Sequence, residues 1–192
     1  MKLLKNRTFA ILLTLLLVIA STLLSASAQL KNDIKKVTDG FYTGALYDGE
    51  RAADVADSSG SIYKQLTLII DNANNIYAVA TSVGVDAETL KETTYYLKSD
   101  IGSMHEYIGS IHWSYSQLCD ALSVIKPKLA SMELSQSDRD EVNQAFLNIS
   151  DAQKVISESG YNESVRRYKN SMNVFEEFVA DTCGIYGPEF FA

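Results

Sequence analysis

The chain has 192 residues, enough for one domain in addition to a terminal targeting segment. It contains 24 acidic and 17 basic residues, and three of the basic ones (Lys2, Lys5 and Arg7) precede residue 28, so the remainder carries a net charge of about −10. A domain this acidic repels phosphate backbones and anionic lipid surfaces, which excludes nucleic acid as an expected partner.

The first 28 residues have the pattern of a targeting segment. The basic leader is followed by nearly continuous apolar sequence from Phe9 to Leu24, and then by small residues at positions 25–28. This pattern predicts either a signal peptide cleaved before Gln29 or an uncleaved N-terminal membrane anchor. In both cases the positive leader places the body of the protein outside the cytoplasm, secreted or anchored to the cytoplasmic membrane.

Residues 29–192 are predicted to form one helical domain. A short amphipathic helix is expected over Leu30–Asp39, followed by a glycine-punctuated stretch that is either irregular or a frayed continuation of that helix. A second, long helix is expected from about Glu50, because apolar residues alternate three and four apart between Ser59 and Val83, and Gly84 then ends it.

The longest apolar ladder follows, and it predicts one continuous helix from Asp86 to about Ala130 with a bend or early stop at Pro127. Its rungs, spaced three or four apart, are Leu97, Ile101, Met104, Ile108, Ile111, Tyr115, Leu118, Leu122, Ile125 and Leu129. Such spacing puts one narrow apolar stripe on a helix, as in the seam of a coiled coil.

The last long helix is expected to start at Ser135 or Ser137 and to run to about Val179. Its apolar pattern loses phase over residues 157–160, which predicts a bend or a change of packing partner at Gly160. The predicted fold is therefore all-α: an antiparallel bundle of three long helices plus a short N-terminal helix, with coiled-coil-like seam packing. A seam this regular can also pair between chains, so self-association is a further expectation.

The last third of the chain resembles the LemA family. The motif Tyr161-Asn162-Glu163-Ser164-Val165-Arg166-Arg167-Tyr168-Lys169-Asn170 is similar to that family's signature, and Phe175, Ala180, Gly184-Ile185-Tyr186 and Phe190-Phe191 continue the pattern. The similarity is clearest over residues 135–192. The chain departs from the pattern at residues 157–160, where the family's arginine is missing, and at Phe175-Glu176, where the family has Phe-Pro. The resemblance implies an exported or membrane-anchored helical bundle of bacteria, without an established catalytic activity.

Seven residues are candidates for a partner or ligand surface. Asn162 lies in the family motif, and Arg166 and Arg167 either bind an anionic group in their guanidinium forks or pair with Glu163. Tyr95 and Trp113 lie off the ladder and are expected to face outward. The apolar tail with Phe190 and Phe191 either folds back over the end of the bundle or docks on a partner.

No catalytic, cofactor or metal site is predicted. His105-Glu106 and His112 share one helix face, but two turns separate the histidines by about 10.5 Å, so they are expected to line a flank of the helix. Cys119 and Cys183 are expected to be unpaired thiols. The predicted function is that of a non-enzymatic bundle of the bacterial cell envelope that binds or scaffolds a protein partner; the alternative is a bundle that senses a small ligand.

Overall fold

The computed structural model describes residues 7–47, 60–103 and 107–191, and every regular element in these ranges is a helix. The fold class predicted from the sequence, all-α, is therefore confirmed. The helices are α1 (Arg7–Thr43), α2 (Ile62–Ser82), α3 (Glu88–Gly102), α4 (Ile108–Ala130), α5 (Gln136–Glu158), α6 (Tyr161–Ser171) and α7 (Val174–Cys183).

Helices α2 to α5 pack together as a bundle, called here the upper bundle. Helix α2 lies along both α5 and α3, and α3 lies along α4. Hydrogen bonds join helices that are distant in sequence: the side-chain amide of Asn148 donates to the amide oxygen of Asn72 across 3.0 Å. The short connections between successive helices favour antiparallel neighbours, which lets each apolar stripe face the centre. The fully buried side chains at that centre include Leu66, Ile69, Ile76, Leu90, Leu97, Ile111, Leu118 and Leu129.

The prediction of one continuous ladder helix was wrong. Helix α3 ends at Gly102, α4 begins at Ile108, and the Ser114 hydroxyl donates to the Asp100 carboxylate across 2.5 Å. In a single helix those two residues would be about 21 Å apart along the axis. The chain turns because Gly102 is a weak helix former and the Ser103 hydroxyl bonds the carbonyl of Asp100. The two halves of the ladder then pack their stripes against each other.

The last predicted helix is also divided, into α5, α6 and α7, so three long helices do not describe the bundle. Gly160 has a left-handed backbone (φ 71°), and a Cβ there would lie 3.1 Å from the Leu46 side chain. The change of packing partner predicted at Gly160 is confirmed, since α5 packs on α2 whereas α6 packs on α1. A second break follows α6, where the side chain of Asn173 caps α7 in a reciprocal capping box with Glu176.

Helix α1 joins the two N-terminal segments that the sequence analysis separated. It runs without interruption from Arg7 to Thr43, so the helix predicted over Leu30–Asp39 is its C-terminal part and the glycine-rich stretch begins as its continuation. The residues from Leu30 to Thr43 pack with α6 and α7, and these three segments are called here the stem. Residues 48–59, where the second helix was predicted to start, and residues 104–106 lie outside the described ranges; α2 begins after Ser61, whose hydroxyl accepts a hydrogen bond from Lys64 N–H.

The N-terminal half of α1 is apolar and uncovered. Ile11, Leu16, Leu17 and Leu24 are more than half exposed, and the best 18-residue window has a mean hydropathy of 2.5 with none of it buried. By length and composition, α1 is the one helix in the described part of the chain that could cross a membrane.

Candidate functional site at the joint between stem and bundle

An aromatic cluster fills the place where the stem meets the upper bundle. This aromatic joint consists of Phe41 from α1, His112 and Tyr115 from α4, Tyr161 from α6, and Phe191 from the C-terminal tail. Phe191 lies 5.4 Å from Phe41, 5.3 Å from His112 and 5.6 Å from Tyr115, measured between ring centroids. The Phe191 side chain is 2% exposed, so the tail (Ile185–Phe191) folds back and closes the joint. Of the two alternatives predicted for the tail, the structure shows the one in which it folds back.

Asn162 holds the end of this tail through its side-chain amide. The Phe191 N–H donates to the Asn162 amide oxygen across 2.8 Å, and the Asn162 amide N–H donates in return to the Phe191 carbonyl. Two reciprocal bonds fix both the position and the direction of the tail. Asn162, singled out from the sequence, therefore contacts Phe191, another of the candidate residues.

Glu189 links the tail to both halves of the molecule. Its carboxylate accepts a hydrogen bond of 2.7 Å from the Gly109 N–H in the first turn of α4, where the helix dipole favours negative charge. Its backbone carbonyl accepts a bond of 3.0 Å from the Tyr161 hydroxyl on α6. Beside it, the Lys169 ammonium lies 4.6 Å from the centroid of the Phe190 ring. The tail thus connects α4 of the upper bundle to α6 of the stem.

Burial changes the acidity of the two tyrosines in the joint. Burial raises the pKa of Tyr161 well above its usual range, and the Glu189 carboxylate adds to the effect. Burial likewise raises the pKa of Tyr115, with a smaller contribution from Cys119. Both phenols are therefore protonated at physiological pH, and they can donate hydrogen bonds but cannot act as general bases.

Arg166 and Arg167 lie on the exposed side of α6, away from the joint. Both guanidinium groups pair with Glu163, and the Arg167 Nε lies 3.4 Å from its carboxylate. The intrahelical pairing offered as one alternative from the sequence is therefore confirmed. Exposed pairs of this kind contribute little stability, so the arginines can exchange partners at small cost. Their proposed role in partner binding stays a prediction.

Tyr95 and Trp113 are 68% and 63% exposed, which confirms that they face outward. The Tyr95 ring packs edge-on against that of Tyr96, with centroids 6.0 Å apart. Neither Tyr95 nor Trp113 belongs to the aromatic joint, so the seven candidate residues do not form one surface.

The described residues contain no group of three or more His, Cys, Asp or Glu side chains that could hold a metal ion. His105 and Glu106 lie outside the described ranges, and the His112 ring packs against Phe191. Cys119 and Cys183 are free thiols. Cys119 is half-buried and accepts a hydrogen bond of 3.3 Å from the Gln153 amide, and burial raises the pKa of its thiol.

Sequence reasoning missed two features of this region. The contact between Glu189 and Gly109 joins residues 80 positions apart, and no local pattern in the sequence predicts it. A groove of about 610 Å³ between α4 and α5 was also missed; it is lined by residues that include Leu129, Met132, Leu134, Val142, Phe146 and Leu147. This groove has cationic side chains, Lys126 and Arg139, in its wall.

Comparisons with known proteins found no match: no family model, no curated protein and no solved structure matches the chain.

Proposed function

We propose that this protein is a non-enzymatic, extracytoplasmic helical bundle of the bacterial cell envelope, anchored by α1, that binds or scaffolds a protein partner. The proposed anchor rests on the course of α1. This helix is unbroken, its N-terminal half is exposed and apolar, and its C-terminal half packs in the stem. The bacterial setting and a divergent relationship to the LemA family rest on the motif around Tyr161-Asn162.

The length of the exposed segment supports an anchor. Residues 9–28 of a helix extend about 30 Å, which matches the hydrocarbon core of a bilayer. In water, the exposed side chains of Ile11, Leu16, Leu17 and Leu24 would form an apolar surface larger than soluble monomers usually show. A bilayer would cover this surface and leave the first buried residue of the stem, Leu30, just outside it.

The chemistry of the exposed groups among the described residues supports the proposed binding or scaffolding role. The aromatic joint is closed by the protein's own tail, and its tyrosines stay protonated. The outward groups are instead those typical of protein contacts: the aromatic rings of Tyr95 and Trp113 and the paired guanidinium groups of Arg166 and Arg167.

Two measurements test this proposal. Resistance of the full chain to alkaline extraction from membranes, with digestion of the bundle by protease added outside the cytoplasmic membrane, is expected for an anchored extracytoplasmic domain. In-cell crosslinking followed by affinity purification is then expected to recover one dominant envelope protein, which is lost in the Arg166→Ala/Arg167→Ala variant. Lys98→Ala/Lys128→Ala, which removes two exposed positive charges from other helices, is the matched control for loss of charge. Recovery of the protein alone, or unchanged recovery with the arginine variant, would contradict the assigned surface.

The groove between α4 and α5 favours a second candidate function, the binding of a small ligand. Its apolar walls beside Lys126 and Arg139 suit a molecule with a hydrocarbon body and an anionic group. A thermal-shift screen of anionic amphiphiles would find a stabiliser whose effect is reduced in Arg139→Ala. Absence of any stabiliser would remove this candidate.

A further inference from the structure

We infer that the exposed apolar face of α7, formed by Val174, Phe175 and Phe178, is a second membrane contact that seats the base of the stem in the lipid interface. The inference rests on the proposed anchoring by α1 and adds an interaction surface to it. This α7 face is exposed to a degree unusual for large apolar side chains: Val174 is 82%, Phe175 47% and Phe178 56% exposed.

The three side chains point in one direction. At 100° per residue, positions 174, 175 and 178 lie within an arc of about 100° on the helix. The other side of α7 packs on the stem, where Val179 is fully buried and Ala180 is partly buried against the core. Helix α7 is therefore amphipathic with two apolar sides, one covered by the protein and one left open.

The position of α7 follows from the course of α6 along α1. At the top of the stem the Tyr161 ring lies 5.7 Å from the Phe41 ring. Phe41 lies only two residues before the end of α1, and both α6 and the following α7 pack on α1, so α6 runs antiparallel to α1 toward the apolar segment. Helix α6 ends at Ser171, ten residues after Tyr161 and about 15 Å lower at 1.5 Å per residue. Two extended residues, Met172 and Asn173, lead from there to Val174. Leu24, the end of the apolar segment, is about 26 Å below Phe41 by the same rise.

The tail keeps α7 at this level. Phe191 returns to the Phe41 ring, and seven residues of extended chain span at most about 25 Å. Helix α7 therefore cannot continue down into the bilayer beside α1, and it lies across or rises along the base of the stem. The first buried residue of α1 is Leu30, so the stem covers α1 from just beyond the end of the apolar segment.

These positions identify lipid as the occupant of the α7 face. Its apolar surface begins a few ångströms above the end of the exposed segment of α1, at the height of the lipid interface, and two of its three side chains are phenylalanines. Apolar and aromatic side chains on an interfacial helix bury in the boundary between headgroups and acyl chains. The acidic Glu177 and Asp181 lie beside the face, so a zwitterionic headgroup layer suits it better than an anionic one.

Fluorescence quenching by lipid tests the inference, because the chain contains a single tryptophan, Trp113. The full chain is reconstituted in phosphatidylcholine vesicles with or without brominated acyl chains. Three proteins are compared: the native chain, Trp113→Phe/Leu16→Trp with the probe in the anchor, and Trp113→Phe/Phe178→Trp with the probe on α7. Val174→Trp in the same background is a second probe of the α7 face.

We expect brominated lipid to reduce the emission of the Leu16→Trp and Phe178→Trp probes and to leave that of native Trp113 unchanged. The Phe178→Trp emission should also shift to shorter wavelength on reconstitution. Quenching at position 16 without quenching at 178 and 174 would overturn the α7 contact while leaving the anchor intact. Absence of quenching at all three positions would overturn the proposed anchor itself.

Discussion

Replacing Phe191 by alanine tests whether the C-terminal tail closes the joint or merely rests on it. The ring is 2% exposed and contacts Phe41, His112 and Tyr115. Returning a buried phenylalanine to water costs about 1.5–3 kcal/mol, and the cavity left behind brings typical Phe→Ala losses to about 3–5 kcal/mol. A terminal segment can relax by undocking, so we expect a loss near the lower end, about 3 kcal/mol.

The assay is urea unfolding of the full chain in detergent, followed by far-ultraviolet circular dichroism. The midpoint should fall while the slope with denaturant stays the same, because the fold is retained. Tyr186→Ala is the matched control in the same tail: its side chain is 87% exposed, and its effect should stay within about 0.5 kcal/mol. A Phe191→Ala loss no larger than that of Tyr186→Ala would refute the assigned role of the tail.

Three further predictions concern neighbouring groups. Asn162→Ala removes both side-chain hydrogen bonds to the Phe191 backbone and should lower the free energy of unfolding by about 1–3 kcal/mol in the same assay. An unchanged midpoint would show that these two bonds do not hold the tail in place. Cys119 should react with iodoacetamide far more slowly than the exposed Cys183 in the folded chain and equally fast in urea, because burial raises the pKa of its thiol; equal rates in the folded chain would argue against its burial. Tyr168 has a pKa raised to about 12 by burial and by Asp33, so the unfolded chain loses this proton first, and stability should fall as pH rises from about 10 toward 12. The Tyr168 hydroxyl has no hydrogen-bond partner among the described residues, so Tyr168→Phe should not reduce stability at neutral pH. It should lessen the alkaline decline without abolishing it, because burial also raises the pKa of Tyr115 and Tyr161; a decline of unchanged slope would show that Tyr168 does not contribute.

The individual site residues were predictable to different degrees. Tyr95 and Trp113 lie off the apolar ladder, and helical periodicity alone predicted that they face outward. Asn162 was singled out by its motif, but no local pattern indicates that its partner is the backbone of Phe191. The contact of Glu189 with the first turn of α4 depends on a loop that returns across the whole molecule, and neither end carries a signal of the other.

The sequence by itself determined that the chain is helical and which residues are apolar along it: the helical periodicity, the apolar N-terminal segment and the phase change at Gly160 all follow from local spacing and backbone preference. Only the tertiary structure decided whether the apolar ladder from Leu97 to Leu129 forms one long helix or two shorter ones. A stripe with heptad spacing is equally consistent with one long helix packing on a neighbour and with two shorter helices packing on each other. The hydrogen bond between Ser114 and Asp100 shows that the chain takes the second course. Local spacing sets which face of a helix is apolar. Which other helix covers that face depends on the arrangement that buries the most apolar surface over the whole chain.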